Sequence, residues 1–406
     1  MNGFSLSFQV KKLLLLFFIS TSALFLSGCW DRWEVNDLAI VTAAGIDKKS
    51  DEMLELSVMV YIPRAGGGLQ QMNGGDGGGL SPQVLVKSAT GITMADAMSK
   101  LQQKFSRRLF WGHDEVFIIH EELAKNYDIR PIIDFFLRFP QTRERSQVYI
   151  SQQKVKELFS LTPLLERDLA EVLRELAAMK ISMVVTFKDL AQMFIGNAKA
   201  AAAPYVKILP PQSGQKKNQT IAYILGTAIF KEGKMIGFIN ESTTRGVLWL
   251  RDEIEQAIVT VKPEGVQGYV SMNLLRAQTK LKPEIKNGKW KITVQAETED
   301  DIIQNATKLR LMDPKVTQML EQQLKKDINQ KIELALNQVQ KEMKADIFGF
   351  ADAFHRAYPA IWKKHKNHWD EIFPNVEVTV KITSKIRRPG MISQPGAIPN
   401  DEVKKK

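Results

Sequence analysis

Cys29 is the only cysteine among 406 residues. A thiol is an intrinsically strong nucleophile, and this one follows Leu26, Ser27 and Gly28. Leu26-Ser27-Gly28-Cys29 has the form of a lipobox. In that chemistry the small residues admit a peptidase and the sulfur accepts a diacylglyceryl chain. The flanks agree. Lys11 and Lys12 form a basic n-region, and Leu13 to Leu26 is an uncharged apolar run of 14 residues. That is the length of a secretory h-region and falls short of the ~20 residues of a spanning helix. Residues 1–28 are therefore expected to be a signal peptide, with Cys29 carrying diacylglyceryl and N-acyl lipid. The competing reading is an ordinary signal or uncleaved anchor with a chance thiol.

Other residue pairs have the spacing of chemistry without its full complement. His365 and His368 stand i, i+3 on an expected helix, a spacing that can present two metal ligands. His355 is the one nearby third ligand, and Lys363, Lys364 and Lys366 would oppose a cation. His113 with Asp114 and Glu115 has acid–base or metal-binding types, but a histidine before a buried strand more often orders a turn. His120-Glu121 begins a zincin pattern whose second histidine is replaced by Ala124. Ser151 and Lys154 match Ser-x-x-Lys, while the Ser-Asp-Asn and Lys-Thr-Gly companions are absent. Eight glycines between Gly66 and Gly79 lack the Lys-Ser/Thr pair of a phosphate loop. No catalytic, cofactor or metal site is expected.

The net charge is +11, and loss of Lys11 and Lys12 with the signal would leave +9. A basic balance favours anionic surfaces. For an exported chain that means lipid headgroups rather than nucleic acid. Basic clusters at Lys363, Lys364 and Lys366, at Arg387 and Arg388, and at Lys404 to Lys406 fit that surface or simply a solvated face. Trp30 and Trp33 directly follow the acylation site. They suit either the membrane interface or the first folded domain. With one cysteine, no intramolecular disulfide is available, so packed cores must supply stability.

Those cores require two or three domains at this length, and the pattern is α+β. Strands are expected at Leu38 to Gly45, Met53 to Ile62, Glu115 to His120 and Gln147 to Ser151. Helices are expected at Thr93 to Phe105, Arg130 to Phe139, from Thr162-Pro163 onward, and at Thr186 to Ile195. Pro210 to Gln219 reads as a linker. The expected division is 29–205, a linker over 206–220, a domain over 221–388 that subdivides near 264, and a basic tail over 389–406. In the second half, Ile221 to Phe230 should be a central strand, turned by Lys231-Glu-Gly-Lys234 as a four-residue loop. Arg245 to Ala257 should be helical. The alternation over Gly268 to Lys282 slips at Leu274-Leu275, which predicts a bulge, and Asn287-Gly288 predicts a tight hairpin. Asp313-Pro314 opens a long helix to about Lys344. Its stripe of Val316, Leu320, Leu324, Ile328, Ile332 and Leu336 steps by four and rotates about 40° per step. The two ends of that helix must meet different partners, or the helix must bend. Val376 to Ile382 closes the domain as a strand.

The order of these patterns resembles the Ger(x)C family, the C-subunit lipoproteins of bacterial spore germinant receptors. The resemblance runs through "CWDRWEVNDLAIVTAAGID", "ATGITMADAM", "WGHDEVFIIHEELA", "RFPQTRERSQVYI", "GTAIFKEGKMIGFINESTTRGVLWL" and "DIFGFADAFHRAYPAIWKKHKNHWDEIF" to the closing "VEVTVKI". It covers roughly residues 29 to 388; the glycine-rich loop and the lysine tail stand outside it. It implies a mixed α and β fold in three domains and a lipoprotein on the outer face of the spore inner membrane. It also implies two integral-membrane partners, the A and B subunits, in a nutrient-responsive assembly with no known enzymatic role. The leading expectation is thus a lipid-anchored assembly or signalling subunit. The alternative is a solute-binding lipoprotein that captures the nutrient itself; a cell-wall enzyme comes third.

Overall fold

The computed structural model describes residues 14–18, 20, 34, 37–62 and 84–390. Thirteen strands fall in chain order among these residues. They are β1 (Leu38–Lys48), β2 (Leu54–Tyr61), β3 (Val84–Gly91), β4 (Arg108–Phe110), β5 (Val116–His120), β6 (Gln147–Ser151) and β7 (Ala200–Ile208). β8 (Ala222–Lys231), β9 (Lys234–Asn240), β10 (Ile258–Val261), β11 (Val270–Lys286), β12 (Lys289–Asn305) and β13 (Glu377–Arg388) follow. The first sheet has the order β3-β2-β1-β5-β6-β7-β8-β9, with β4 beside β1. Its centre, β1-β5-β6-β7, is parallel, and antiparallel hairpins extend it on both sides. β5 reads Val-Phe-Ile-Ile-His and is buried at every position, as a strand covered on both faces must be.

Helices supply that cover. On one face lie α1 (Met94–Gln102), α2 (Glu121–Asn126), α3 (Arg130–Arg138) and α6 (Phe187–Ile195); on the other lie α4 (Val155–Phe159) and α5 (Leu169–Ala178). Phe117, Phe136 and Phe187 form the aromatic centre of the first layer, with ring centroids 4.5–5.1 Å apart. Local chemistry fixes the starts. Thr93 accepts from the Asp96 N–H, and Thr186 and Asp189 form a reciprocal capping box. The expected helix start at Thr162-Pro163 is not one. Both the N–H and the hydroxyl of Thr162 donate to the Asn218 carbonyl, at 2.8 and 3.1 Å. Its capping group is therefore occupied elsewhere, and α5 begins at Leu169 under an Asp168 cap.

The expected linker over 206–220 is corrected as well. β7 and β8 pair from Ala200↔Lys231 to Ile208↔Ala222, so the Pro- and Gln-rich segment is a hairpin connection inside one sheet. β8 and β9 belong to the first sheet. Composition reports a solvated loop equally well in either setting. The Glu232-Gly233 turn is also shorter than expected. Lys231 pairs with Lys234, and the two central residues have φ of 50° and 85°, a two-residue turn of the hairpin type.

α7 (Glu241–Leu250), capped by Asn240, starts and ends earlier than the expected 245–257. It leads to the second sheet, β10-β11-β12-β13, antiparallel except for the β12–β13 pair. The predicted bulge is present, as the register slips between Leu274 and Arg276. The Asn287-Gly288 turn is present too, with φ of 51° and 73°. α8 (Pro314–Ala335) starts under Asp313 and continues as a π-helical turn over Leu336–Glu342. Its two ends do meet different partners. Near its start, the Glu321 carboxylate accepts from the Ile386 N–H of β13 at 3.0 Å. Towards its end it crosses α7 so closely that a Cβ on Gly246 would lie 1.9 Å from the Lys331 carbonyl oxygen. The π-turn then widens the spiral and buries Val339 and Gln340 side by side. Short helices α9 (Phe350–Ala357), α10 (Pro359–His365) and α11 (Trp369–Ile372) fold over the second sheet before β13.

Candidate functional site

Leu26, Ser27, Gly28 and Cys29 lie outside the described residues. Leu14 to Phe18 of the apolar run are helical and largely exposed. No described helix is long and apolar enough to cross a membrane. β1 begins nine residues after Cys29, a span of at most about 30 Å of extended chain.

The histidines do not converge. His365 meets the edge of Trp290 at 5.9 Å, whereas His368 pairs with Glu371 at 3.5 Å. His355 stacks on Trp362 and lies 3.1 Å from the Asn197 amide. Among the described residues no three His, Cys, Asp or Glu side chains are grouped to hold a metal. His113 is exposed beside Phe110. Its neighbour Asp114 is fully buried with no hydrogen-bond partner for either carboxylate oxygen. Burial holds the Asp114 pKa well above the usual carboxylate range. The main chain here is ordered by Ser146, whose hydroxyl donates to the Asp114 carbonyl at 2.5 Å. Thus "WGHDEVFII" and "RERSQVYI" meet at a structural joint.

Register brings together a row that spacing did not reveal. Asp47, His120 and Ser151 sit side by side at the ends of the parallel strands β1, β5 and β6. Asp47 lies 3.7 Å from His120 Nδ1 and accepts from the Val155 N–H. Burial raises the Asp47 pKa, opposed by that N–H and by the charge of His120. The types are those of a nucleophilic triad, but the geometry is not. Ser151 Oγ donates to the Gln153 carbonyl at 2.6 Å, accepts from the Gln153 N–H, and is wholly buried. Lys154 stands exposed at the N-cap position of α4 and makes no side-chain bond to the helix. Among the described residues the hydroxyl is enclosed, and the Ser-x-x-Lys spacing carries a turn.

A heavily connected buried polar group is Asp346, between the π-turn and α9. Its carboxylate accepts from the N–H groups of Phe348, Phe350 and Ala351 at 3.2, 3.2 and 2.7 Å, and from Trp369 Nε1 at 3.1 Å. Burial pushes its pKa up to about 6, and the Ala351, Phe350 and Trp369 donors pull the other way. Trp369 in turn packs on Trp290, Phe354, Trp362 and Phe373. This buried joint is what "DIFGFADAFHRAYPAIWKKHKNHWDEIF" encodes. Beside it runs a cleft of about 350 Å³ between α6 and the start of α9 with the turn before it, edged by Asp189, Asn197, Arg251, Glu253 and Asp352. Several of its polar groups are already paired with one another or with main chain. Asn197 donates to Asp352 at 2.5 Å, and Arg251 binds both Glu253 and the Ile347 carbonyl. The described chemistry joins elements of the protein to one another.

Comparison with known proteins gives the same order of parts. Residues 31–208 match the family model described as spore germination protein N-terminal domain. Residues 225–390 match that described as spore germination B3/GerAC like, C-terminal. Spore germination protein KC of Bacillus subtilis (strain 168) is 29% identical over 404 residues, covering 95% of this chain and 98% of that protein. Spore germination protein B3 of the same organism is 23% identical over 379 residues, covering 91% and 96%. In fold, the chain is similar to the crystal structure of the GerBC protein, with a TM-score of 0.57, 20% identity and coverage of 86% and 98%.

Proposed function

The chain belongs to the Ger(x)C family of spore germination proteins, and from that premise we propose that it is a lipid-anchored, non-enzymatic subunit of a germinant receptor. The observation that carries the reading is the pair of family matches, 31–208 and 225–390, which together account for nearly all the chain beyond Cys29. The lipobox at Leu26 to Cys29 supports attachment to the outer face of the spore inner membrane through diacylglyceryl and N-acyl lipid. The integral-membrane A and B subunits are its proposed partners, with assembly or signalling of the nutrient-sensing complex as its task. The engagement of Ser151, Gln340 and Asp346 within the fold supports a body that acts by contact rather than by turnover.

Cys29→Ala tests the reading. The variant should lose fatty-acid labelling, leave the membrane fraction and slow nutrient germination. Release of the protein with germination at the wild-type rate would defeat the tethering role. The 350 Å³ cleft supports a second reading, direct capture of a nutrient. Calorimetric titration of the full chain with candidate nutrients separates the two, since micromolar binding would favour capture.

A further inference from the structure

The end of the first sheet where β1 begins is basic. Arg108 stands opposite Leu38, the first residue of β1. The parallel register Ala43↔Val116↔Gln147 brings the starts of β5 and β6 to the same end. Two connections therefore meet there, 103–113 and 139–146. They carry Lys104, Arg107, Arg108, Arg143 and Arg145 against one acidic residue, Glu144. All five basic residues are exposed, and among the described residues no ion pair engages Arg107, Arg143 or Arg145. Both connections are held in place. Gln102 bonds the Arg107 carbonyl and the Leu109 N–H, each at 2.9 Å. The Ser146 N–H and hydroxyl donate to the Arg143 carbonyl at 3.0 and 2.9 Å. Adjacent strands lie about 4.8 Å apart, so β1 and β6, with β5 between them, are separated by about 10 Å. Beside the entry of β1 opens an apolar groove of about 400 Å³. Leu109, Trp111 and Phe139 give its apolar side, and Gln102, Arg108 and Gln141 belong to its polar lining.

We propose that this end of the body rests on anionic phospholipid headgroups, with Arg107, Arg108, Arg143 and Arg145 binding lipid phosphates. Charge argues for that surface, because a guanidinium fork matches phosphate oxygens and never loses its charge. Arginines bordering apolar, aromatic surface also suit the layer where headgroups meet acyl chains. Position argues for it too, and here the inference rests on the lipid-anchor reading. At most about 30 Å of chain joins Cys29 to Leu38, so the tether draws this end towards the bilayer. The lysines of α10 belong by the opposite end. Asp370, just beyond them, pairs with Lys231 at 2.8 Å, and Gly233 of the same turn accepts from the Ile129 N–H. Ile129 follows α2, which begins where β5 ends, away from the entry of β1.

The test uses the full-length protein, purified from membranes and reconstituted alone into phosphatidylcholine vesicles with or without phosphatidylglycerol. p-Benzoylphenylalanine replaces Ser106, exposed beside Arg107, or Asn126, exposed at the end of α2. Irradiation should label lipid from position 106 about fivefold or more above position 126. Phosphatidylglycerol should raise the label from position 106 by a similar factor. Arg143→Gln together with Arg145→Gln should cut it about fivefold or more, and about 0.5 M salt should do the same by screening. The salt and lipid arms leave the arginines in place, so a folding defect in the variant does not decide the result. Equal label from the two positions overturns the proposal. So does label from position 106 that is indifferent to phosphatidylglycerol, to salt or to the double substitution, or that falls on protein in place of lipid. Fatty-acid labelling of Cys29→Ala is scored separately, so a failed anchor and a failed orientation are told apart.

Discussion

Trp369 Nε1 donates to the Asp346 carboxylate at 3.1 Å, and both side chains are buried. The two residues stand at either end of a run of short helices that has little regular structure to hold it. Three main-chain N–H groups at the start of α9 share the same carboxylate. A single ionisable group therefore fixes where α9 begins and where the aromatic cluster around Trp369 closes.

Stability should depend on pH through this group. Burial lifts the Asp346 pKa to about 6, above the ~3.9 of an unfolded chain. A carboxylate raised on folding contributes its stability fully below the unfolded pKa and loses it as pH rises through the folded value. Acidification from about pH 7 to about pH 5 should thus stabilise by about 1 kcal/mol through Asp346. Asp47, Asp114 and Asp300, all raised by burial, act in the same direction. Asp346→Asn should reduce the gain. Urea unfolding of both proteins at the two pH values decides, and an equal gain in the variant would contradict the assignment.

The α7–α8 crossing should tolerate no side chain at Gly246. Its Cβ would meet the Lys331 carbonyl oxygen at 1.9 Å, and backbone cannot rotate away as a side chain can. Gly246→Ala should cost about 2 kcal/mol or more by overpacking. Gly237→Ala is the comparison, because the nearest atom there is the terminal Met343 methyl at 3.0 Å, which can move. Similar denaturation midpoints for the two variants would show that the helices can separate without penalty.

Gln340 tests the π-turn. Its buried Nε2 donates to the carbonyls of Phe373 and Val376, both at 2.9 Å. Replacement by leucine keeps an apolar bulk but leaves two buried carbonyls without that donor, a loss of about 2 kcal/mol. Hydrogen exchange should quicken around residues 373–376 as the chain there loosens. Unchanged protection of that segment would remove the role assigned to Gln340.

Ser151 and Lys154 should be separable. Lys154→Ala, at an exposed position, should change stability by no more than about 0.5 kcal/mol. Ser151→Ala removes the hydroxyl that closes a buried turn and should cost about 1 kcal/mol. Neither should alter labelling by a fluorescent penicillin, since the hydroxyl is enclosed. Labelling of the wild type that is lost in Ser151→Ala would establish the opposite.

Legibility followed the range of the interactions. The Asn287-Gly288 turn, the Leu275 bulge and the Asp313-Pro314 start were readable because each is decided within a few residues. β5 was readable because a strand buried on both faces needs an unbroken apolar run. β7 was missed: Ala200 to Ala203 have little strand preference, and Pro204 interrupts the pattern. The strand exists through its pairing with β8, and it pairs with β6 only at Tyr205 and Val206, just after the proline. The Thr162 start failed because its competing acceptor, Asn218, lies 56 residues away.

By itself, the sequence determined the class of elements and the family, and it is the whole ground for the proposal that Cys29 is lipidated. These are local or cumulative properties of the residue order. Tertiary structure alone decided that 209–221 is a hairpin connection between β7 and β8, that Asp47 and His120 form a buried pair, and that Ser151 is spoken for. It alone decided that Asp346 gathers four donors and that an apolar groove opens beside the entry of β1. These depend on which distant groups meet when the sheets and helices pack, and a buried polar group takes its character from those neighbours rather than from its own type.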